Sequence, residues 1–229
     1  MGCPGVVLCH GMLSHKESAK LIRFSQELAR AGMWALRFDF SFLGESDGTL
    51  FEMTYEQEVE DLAAAVAFLR SRAGGRLGLM GSSMGGTVAL LCAARPGGVD
   101  ALATLNAVAY PGRFPRGGVA EEGELERWRR QGYIDTPLGP IGLGFFESCA
   151  RQDVVGAARR LRCPSLFIHG DSDEVVDASE ARDLYAAAPP EPKELLILPG
   201  ADHRLTQPDD VERVARSLRA FFARCLMPV

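Results

Sequence analysis

Short apolar runs alternate with longer amphipathic segments along most of this 229-residue chain. Six of the runs lack the polar alternation of a half-exposed strand. Uninterrupted runs of this kind are typical of parallel strands that helices cover on both faces. They occupy residues 5–9, 34–38, 77–80, 101–105, 165–168 and 194–198. The alternation predicts an α/β fold, namely a doubly wound, mostly parallel sheet of about six strands.

The segments between the runs carry apolar residues at helical spacing. The i, i+3, i+7 repeat is found twice, in Leu21, Phe24, Leu28 and Ala31 and again in Val59, Leu62, Val66 and Leu69. Thr54 precedes the second stripe as a candidate N-cap, with acidic residues in the turns that follow. Further helices are predicted over 84–94, 178–188 and 211–222.

One segment, residues 108–151, breaks this rhythm. It combines repeated glycine and proline with a charged stretch at 121–130 and several aromatic residues. A long irregular segment inside a compact domain is usually functional. We therefore predict one α/β domain over 1–229 with a cap or lid insert at 108–151. The alternative is a surface excursion that only stabilises the sheet edge.

Composition and charge exclude several classes of function. The net charge of −5 favours neither nucleic acid nor an anionic membrane surface as a partner. No apolar stretch reaches the roughly 18 residues of a membrane-spanning helix, and the N-terminus lacks a signal core. Six scattered cysteines without a CxxC pair predict free thiols, no metal site and a cytoplasmic location. A secreted form that lacks its leader is the alternative.

The strongest chemical motif is Gly-Ser-Ser-Met-Gly at 81–85, between a predicted strand and a predicted helix. Ser83 stands at the centre of G-x-S-x-G, the turn that presents a nucleophilic serine on strained backbone. The helix N-terminus that follows favours a developing oxyanion. A flexible Gly-Ser loop is the alternative. A phosphate loop is disfavoured because its lysine is missing.

A nucleophilic serine needs a base and an acid that orients the base. His203 follows the last predicted strand, so it lies at the same sheet edge as Ser83. The acid is sought after the preceding strand, where Asp171, Asp173 and Glu174 compete. We favour Asp173, because Asp171 comes so soon after the strand that it is suited to fixing the turn.

The oxyanion hole needs two backbone donors. The amide of Met84, directly after the nucleophile, is one candidate. The second should come from the loop after the first strand, where the amide of Met12 is the natural choice. We interpret His10 as a structural residue of this turn. His15 and Lys16 are interpreted as solvated, with a substrate contact as the alternative.

With these motifs in place, the sequence resembles the α/β-hydrolase superfamily, and more narrowly small carboxylesterases of the cinnamoyl/feruloyl esterase group. The matching segments are 10–12, 37–40, 44–48, 81–85, 163–170 and 200–203. The resemblance implies acyl-enzyme chemistry on carboxylic esters without a cofactor. It also places the triad acid at Asp173.

Two departures from this group stand out. Such enzymes usually carry an antiparallel hairpin before the strand at Val6, whereas this sequence begins almost at that strand, so that either the sheet is a minimal one or the sequence is truncated. They often read Arg-Gly-x-Gly where this chain has Ser-Phe-Leu-Gly at 41–44, near the expected mouth of the site. Substrate preference therefore does not transfer from the group, although Phe42 can instead pack against a neighbouring helix.

The resulting hypothesis is a serine esterase with Ser83, Asp173 and His203 as its triad and a small-molecule ester as its substrate. Trp128, Tyr133 and Phe145 are candidate apolar walls, with ordinary packing inside the cap as the alternative. A thioesterase or a small-peptide or amide hydrolase with the same triad is the nearest rival. A non-catalytic ligand-binding receptor is the rival from another class.

Overall fold

A computed structural model describes residues 2–113, 124–189 and 192–227. Its main sheet has six parallel strands in the order β2-β1-β3-β4-β7-β8. Their bounds are β1 Cys3–Cys9, β2 Trp34–Arg37, β3 Gly74–Ser82, β4 Ala101–Leu105, β7 Ser165–Gly170 and β8 Lys193–Leu198. A separate antiparallel hairpin is formed by β5 Tyr133–Thr136 and β6 Gly139–Gly142. The predicted sheet of about six strands is confirmed.

Helices cover both faces of the sheet and account for the uninterrupted apolar runs. Their bounds are α1 Ala19–Arg30, α2 Tyr55–Ala73, α3 Met84–Ala93, α4 Glu124–Gln131, α5 Leu143–Arg151, α6 Val154–Arg159, α7 Ser179–Ala187 and α8 Pro208–Leu226. Thr54 caps α2 by accepting a hydrogen bond from the amide of Gln57 at 3.1 Å, as predicted. Gly74 ends that helix with φ of 66°, in the left-handed region that favours glycine.

The core lies in two layers, one on each side of the sheet. One layer packs α2, α3, α6 and α7 against it, with Leu62 and Phe167 among its fully buried side chains. The other layer packs α1 and α8 against it, around Phe24 and Phe222. Because α1 and α2 lie on opposite faces, the connections reverse direction at neighbouring strands β1 and β3. Doubly wound sheets bind their ligands at such a switch point.

The segment predicted as a cap connects β4 to α6. Its described part contains α4, the β5–β6 hairpin and α5, so it is more regular than its glycines and prolines indicate. Phe145 stacks on Tyr55 of α2, with ring centroids 5.7 Å apart. Aromatic packing therefore holds the segment against helix α2. Among the described helices, none is both long and apolar enough to cross a membrane.

Candidate active site

Ser83 occupies the sharp turn between β3 and α3, in a backbone conformation that serine rarely adopts. Its φ is 55° and its ψ is −124°, a strained combination that a structure keeps only when its surroundings enforce it. The amide of Ser83 donates to the carbonyl of Leu105 at 2.8 Å. This bond ties the turn to β4.

The two flanking glycines are required by close backbone approach. A Cβ on Gly81 would come within 2.1 Å of the carbonyl oxygen of Gly85. A Cβ on Gly85 would come within 2.2 Å of the carbonyl oxygen of His10. Since backbone atoms cannot give way as a flexible side chain does, neither position accepts a larger residue without rearrangement. The G-x-S-x-G spacing is thus a steric condition for this turn.

His203 links the serine to an acid. Its Nε2 lies 3.0 Å from the Oγ of Ser83, and its Nδ1 lies 2.7 Å from the Oδ2 of Asp173. A proton on Nδ1, donated to Asp173, leaves Nε2 free to accept from the serine hydroxyl. The three residues predicted as a triad are therefore in direct contact, in the geometry that base-assisted attack by serine needs.

Asp173 sits in a pocket of donors that keep its carboxylate ionised. Its Oδ1 accepts from the amides of Val175 at 2.9 Å and Val176 at 2.8 Å. The Nε2 of buried His169 lies 3.3 Å from Oδ2. Burial alone would raise the pKa of Asp173, but hydrogen bonds from His169, His203 and Val176 hold the pKa well below its ordinary value.

Asp171, the competing acid, has the structural role suggested by its position. Its Oδ1 accepts from the amide of Gly200 at 2.6 Å and from the hydroxyl of Ser172 at 3.3 Å. These contacts join the loop after β7 to the loop after β8. The structure brings Asp173, and not Asp171, to His203.

The two candidate oxyanion donors flank the nucleophile. Met84 is the first residue of α3, so its N–H has no partner within the helix. Gly11 brings the loop after β1 against the elbow, since a Cβ there would lie 3.2 Å from the Cβ of Ser83. Met12 follows directly. Among the turn and loop hydrogen bonds of the described residues, none has the amide of Met12 or Met84 as its donor. Both stay candidates for the oxyanion hole.

His10 is buried beneath this loop and not available as a base. Its Nδ1 lies 2.9 Å from the carbonyl of Gly11, and its Nε2 accepts from the amide of Phe40 at 3.2 Å. Burial lowers the pKa of His10 and favours the neutral ring. The interpretation of His10 as a structural residue agrees with these contacts.

Lys16 differs from its sequence interpretation as a solvated residue. Its Nζ contacts Asp39 at 2.5 Å and also Glu45. Hydrogen bonds to these two carboxylates raise the pKa of Lys16 to about 12. In the loop at 41–44, Phe42 is half-buried against the core beside Gly48. This placement favours a packing role for Phe42, which was the alternative to a position at the mouth of the site.

Asn106, which sequence reasoning missed, connects three of the loops that form the site. Its side chain is fully buried, and its Nδ2 donates to the carbonyl of His203 at 2.9 Å. Its Oδ1 accepts from the amide of Gly170 at 3.0 Å. With φ of 50°, Asn106 uses a conformation that asparagine tolerates better than most residues. An asparagine directly after a predicted buried strand was the available signal.

A cleft of about 570 Å³ opens over Ser83 and His203, a volume in the usual range for small-molecule sites. Its described lining comes from the loops after β1, β3, β7 and β8 and from the ends of α1 and α8. It comprises Gly11, Met12, Leu13, Ser14, Ser18, Ala19, Lys20, Ser82, Ser83, Val175, His203, Arg204, Leu205 and Val211.

The three residues predicted as apolar walls of the site are not among the described residues that line this cleft. Phe145 and Trp128 are buried in aromatic packing, Phe145 on Tyr55 and Trp128 on Phe146. Tyr133 is half-buried in the hairpin strand β5. This placement favours ordinary packing for Phe145 and Trp128. Their contact with substrate stays a prediction.

Solved structures and curated proteins resemble this chain over most of its length. Est1E of Butyrivibrio proteoclasticus, solved with ferulic acid bound, superimposes with a TM-score of 0.86 at 21% identity, covering 98% of this chain and 90% of that one. The esterase domain of a Rhodothermus marinus protein gives 0.72 at 29% identity, covering 98% and 88%. The mitochondrial palmitoyl-protein thioesterase ABHD10 of Rattus norvegicus is 26% identical over 91% of this chain and 71% of its own length.

These likenesses show the fold, and the family model shows the family. The fold is that of the α/β-hydrolases, and the relatives are esterases and thioesterases. The family model described as serine aminopeptidase, S33 matches residues 4–121 and 141–210, well over half of the chain. The matched region contains Ser83, Asp173 and His203. This α/β-hydrolase therefore belongs to the serine aminopeptidase S33 family.

Proposed function

We propose that this protein hydrolyses carboxylic esters through an acyl-enzyme intermediate on Ser83, with His203 as the base and Asp173 as the orienting acid. The observation that carries the proposal is the unbroken chain of contacts, 3.0 Å from Ser83 to His203 and 2.7 Å from His203 to Asp173. Ser83 and His203 line the cleft described above.

In the first step, the Oγ of Ser83 attacks the ester carbonyl while the Nε2 of His203 takes its proton. Asp173 holds the imidazole in the required tautomer and stabilises the imidazolium that forms. The amides of Met12 and Met84 would hold the tetrahedral oxyanion, and one such donor is typically worth about 3 kcal/mol in the transition state. The strained turn at Ser83 keeps the nucleophile exposed for this attack.

In the second step, His203 returns its proton to the leaving oxygen, and the alcohol departs. Water then attacks the acyl-enzyme while His203 takes its proton, and His203 returns that proton to the Oγ of Ser83 as the acyl–Oγ bond breaks and the acid is released. The Nε2 of His203 carries every proton in this scheme, and the scheme needs no cofactor. We also propose that the segment at 108–151 caps the cleft and that the protein acts in the cytoplasm on a small-molecule ester.

Thioester hydrolysis is a second candidate, supported by the similarity to the ABHD10 palmitoyl-protein thioesterase. The same attack and proton transfer serve a thioester, whose leaving thiolate needs less help from His203. The description of the family model favours an amide or peptide substrate in the same way. The rival of a non-catalytic receptor predicts ligand binding without turnover.

The test compares the wild type with Ser83→Ala on p-nitrophenyl acetate and butyrate. We expect kcat to fall by about 10⁶-fold, because the nucleophile is lost and only the residual catalysis by substrate binding and the oxyanion donors remains. Ser82→Ala removes the adjacent hydroxyl, which donates to neither His203 nor Asp173, and should keep most of the activity. Equal rates for wild type and Ser83→Ala would refute the proposal. A wild type without turnover that binds ligand tightly would favour the receptor.

A substrate panel then separates the enzymatic rivals. It contains a p-nitrophenyl ester, a palmitoyl thioester and an aminoacyl p-nitroanilide. The proposal expects the highest kcat/KM on the oxygen ester. A higher kcat/KM on the thioester or the anilide would assign the protein to the corresponding rival.

A further inference from the structure

Two cationic side chains line the cleft beside the candidate triad. Lys20 lies in the first turn of α1, and Arg204 directly follows His203. Both are part of the same cleft wall as Ser83, together with the apolar residues Met12, Leu13, Val175, Leu205 and Val211. Neither cation has a role in the reaction described above.

Neither cation is neutralised within the described part of the chain. Lys16, four residues before Lys20, contacts Asp39 and Glu45, and Arg23, three residues after it, contacts Glu27 and Glu212. No described carboxylate lies within 4.0 Å of the Lys20 ammonium or the Arg204 guanidinium. Lys20 and Arg204 thus differ from Lys16 and Arg23, whose charges are paired with carboxylates.

The two acids whose charges act on Lys20 are already engaged by other donors. Asp202 accepts from the amides of Arg204 at 2.9 Å and Thr206 at 3.1 Å, and also from the Thr206 hydroxyl. Asp173 is engaged with His203 and the amides of the loop after β7. The charges of Asp202 and Asp173 act on Lys20 from a distance, but their oxygens accept hydrogen bonds from the loops that form the site.

Lys20 retains its charge in spite of partial burial. Burial lowers the pKa of Lys20 to about 8, with Arg204 adding to the effect and Asp173 and Asp202 opposing it. The ammonium is therefore mostly protonated at neutral pH, in surroundings that disfavour a lone charge. A buried charge of this kind is relieved by an opposite charge that binds beside it.

We propose that Lys20 and Arg204 form an anion subsite of the catalytic cleft, so that the preferred substrates are esters or thioesters carrying a carboxylate near the scissile bond. The proposal rests on the function proposed above. The apolar remainder of the cleft takes the hydrocarbon part of such a substrate, and the two cations take its carboxylate through charge-assisted hydrogen bonds.

The test compares charged and neutral esters of nearly the same shape. One pair places the carboxylate on the acyl side: mono-p-nitrophenyl glutarate against p-nitrophenyl pentanoate. The other pair places it on the leaving group: 4-carboxyphenyl butyrate against phenyl butyrate. The readout is the ratio of kcat/KM for the charged ester to that for the neutral ester, measured for each variant.

We expect the wild type to favour the charged member of one pair, and the pair that responds shows which side of the substrate faces the cations. Lys20→Met and Arg204→Met should each lower that ratio by about 10- to 100-fold, the usual range for losing a hydrogen bond to a charged group. Lys20→Glu should lower it further by repulsion. Lys20→Arg should retain most of it. Arg182→Met, an exposed cation on α7 outside the cleft lining, is the matched control and should leave the ratio unchanged.

Ratios that stay the same in Lys20→Met and Arg204→Met would overturn the anion subsite. So would a wild type that favours neither charged ester. Failure of the proposed function has a different signature, because Ser83→Ala would then hydrolyse the neutral esters as fast as the wild type does. A variant that misfolds loses activity on both members of a pair, whereas loss of the subsite changes their ratio.

Discussion

The sheet edge at Ser83 and the cap segment around Phe145 are held in place by different forces. At the sheet edge, backbone atoms approach so closely that Gly81 and Gly85 admit no Cβ, and hydrogen bonds position His203. In the cap segment, buried rings stack, as Phe145 does on Tyr55. The close backbone packing at the sheet edge produces a recognisable motif in the sequence, because few residue types fit positions that admit no Cβ. The ring stacking in the cap segment leaves only a scatter of aromatic residues that many sequences share.

The two regions also differ in what they contribute to stability. The sheet edge contains a strained serine, an unpaired ammonium on Lys20 and a buried Nδ1 of His169 that has no partner among the described residues. Each feature costs free energy in the folded state. The cap packing contributes stability instead. Locally unfavourable features concentrate at functional sites in this way.

After loss of the nucleophile itself, the largest effect is expected at Asp173. Asp173→Asn should lower kcat on p-nitrophenyl butyrate by about 10⁴-fold, because the amide no longer holds His203 in the productive tautomer. The buried carboxyl group is replaced by a group of equal size, so the circular dichroism spectrum should stay that of the wild type. Kinetics on p-nitrophenyl butyrate and the far-UV spectrum check both parts.

Asp171→Asn is the control for that change, since it alters a carboxylate two residues away that contacts Gly200 and Ser172. It should affect mainly the stability of the turn. If Asp171→Asn loses as much kcat as Asp173→Asn, the assignment of the acid is wrong.

A pair of glycine substitutions compares the two regions directly. Gly85→Ala should destabilise the protein by more than about 4 kcal/mol or prevent folding, because its Cβ would collide with the carbonyl of His10. Gly144→Ala, in the exposed face of α5, has only the Thr54 methyl group at 4.0 Å and should stabilise the helix by up to about 1 kcal/mol. Urea unfolding measures both, and similar losses for the two would contradict the steric account of the elbow.

Most of the fold could be predicted from the sequence, because buried parallel strands and amphipathic helices each impose a repeat. All six predicted strands of the main sheet are present, with no end moved by more than three residues. The hairpin β5–β6 was not predicted. The strand β6 contains glycine and proline, and it packs against the short 3₁₀ helix at Leu50–Glu52, which is distant in the sequence, so no local repeat marks the hairpin.

The candidate triad could be predicted because each member follows a strand at the same sheet edge. Asn106 could not, since its role depends on the distance between the loops of Gly170 and His203, which only the folded chain defines. The position of Lys20 in the cleft could not be predicted for a similar reason. In the sequence it is one of several charged residues at a helix start, and only the fold turns it towards the cleft.

A smaller effect is expected in the cap segment. Phe145→Ala should lower the free energy of unfolding by about 3–4 kcal/mol, because it removes a fully buried ring from its stack on Tyr55. Phe145→Leu fills most of the space and should lose less. The same variants, assayed on esters of increasing acyl length, test the predicted wall. A changed chain-length preference with little loss of stability would restore Phe145 to the substrate site.

A smaller effect than that of Phe145→Ala, and of opposite sign, is expected at Lys20. Lys20→Met should raise the free energy of unfolding at pH 7 by about 1–3 kcal/mol, because it removes a partly buried charge. The pKa of Lys20 is about 8 in the folded protein against 10.5 in the unfolded chain. Between these values the unfolded chain binds more protons, so the stability of the wild type rises with pH over this window.

The advantage of Lys20→Met should therefore be largest below pH 8 and shrink towards pH 10. Urea unfolding at pH 7 and pH 9.5 measures the change. Lys20→Arg is the control, because a guanidinium keeps its charge throughout this range and should show no such convergence with the wild type. An unchanged stability of Lys20→Met at pH 7 would mean that the ammonium carries no desolvation cost in the free enzyme. Its contribution to substrate preference would then come from attraction alone, without relief of a buried charge.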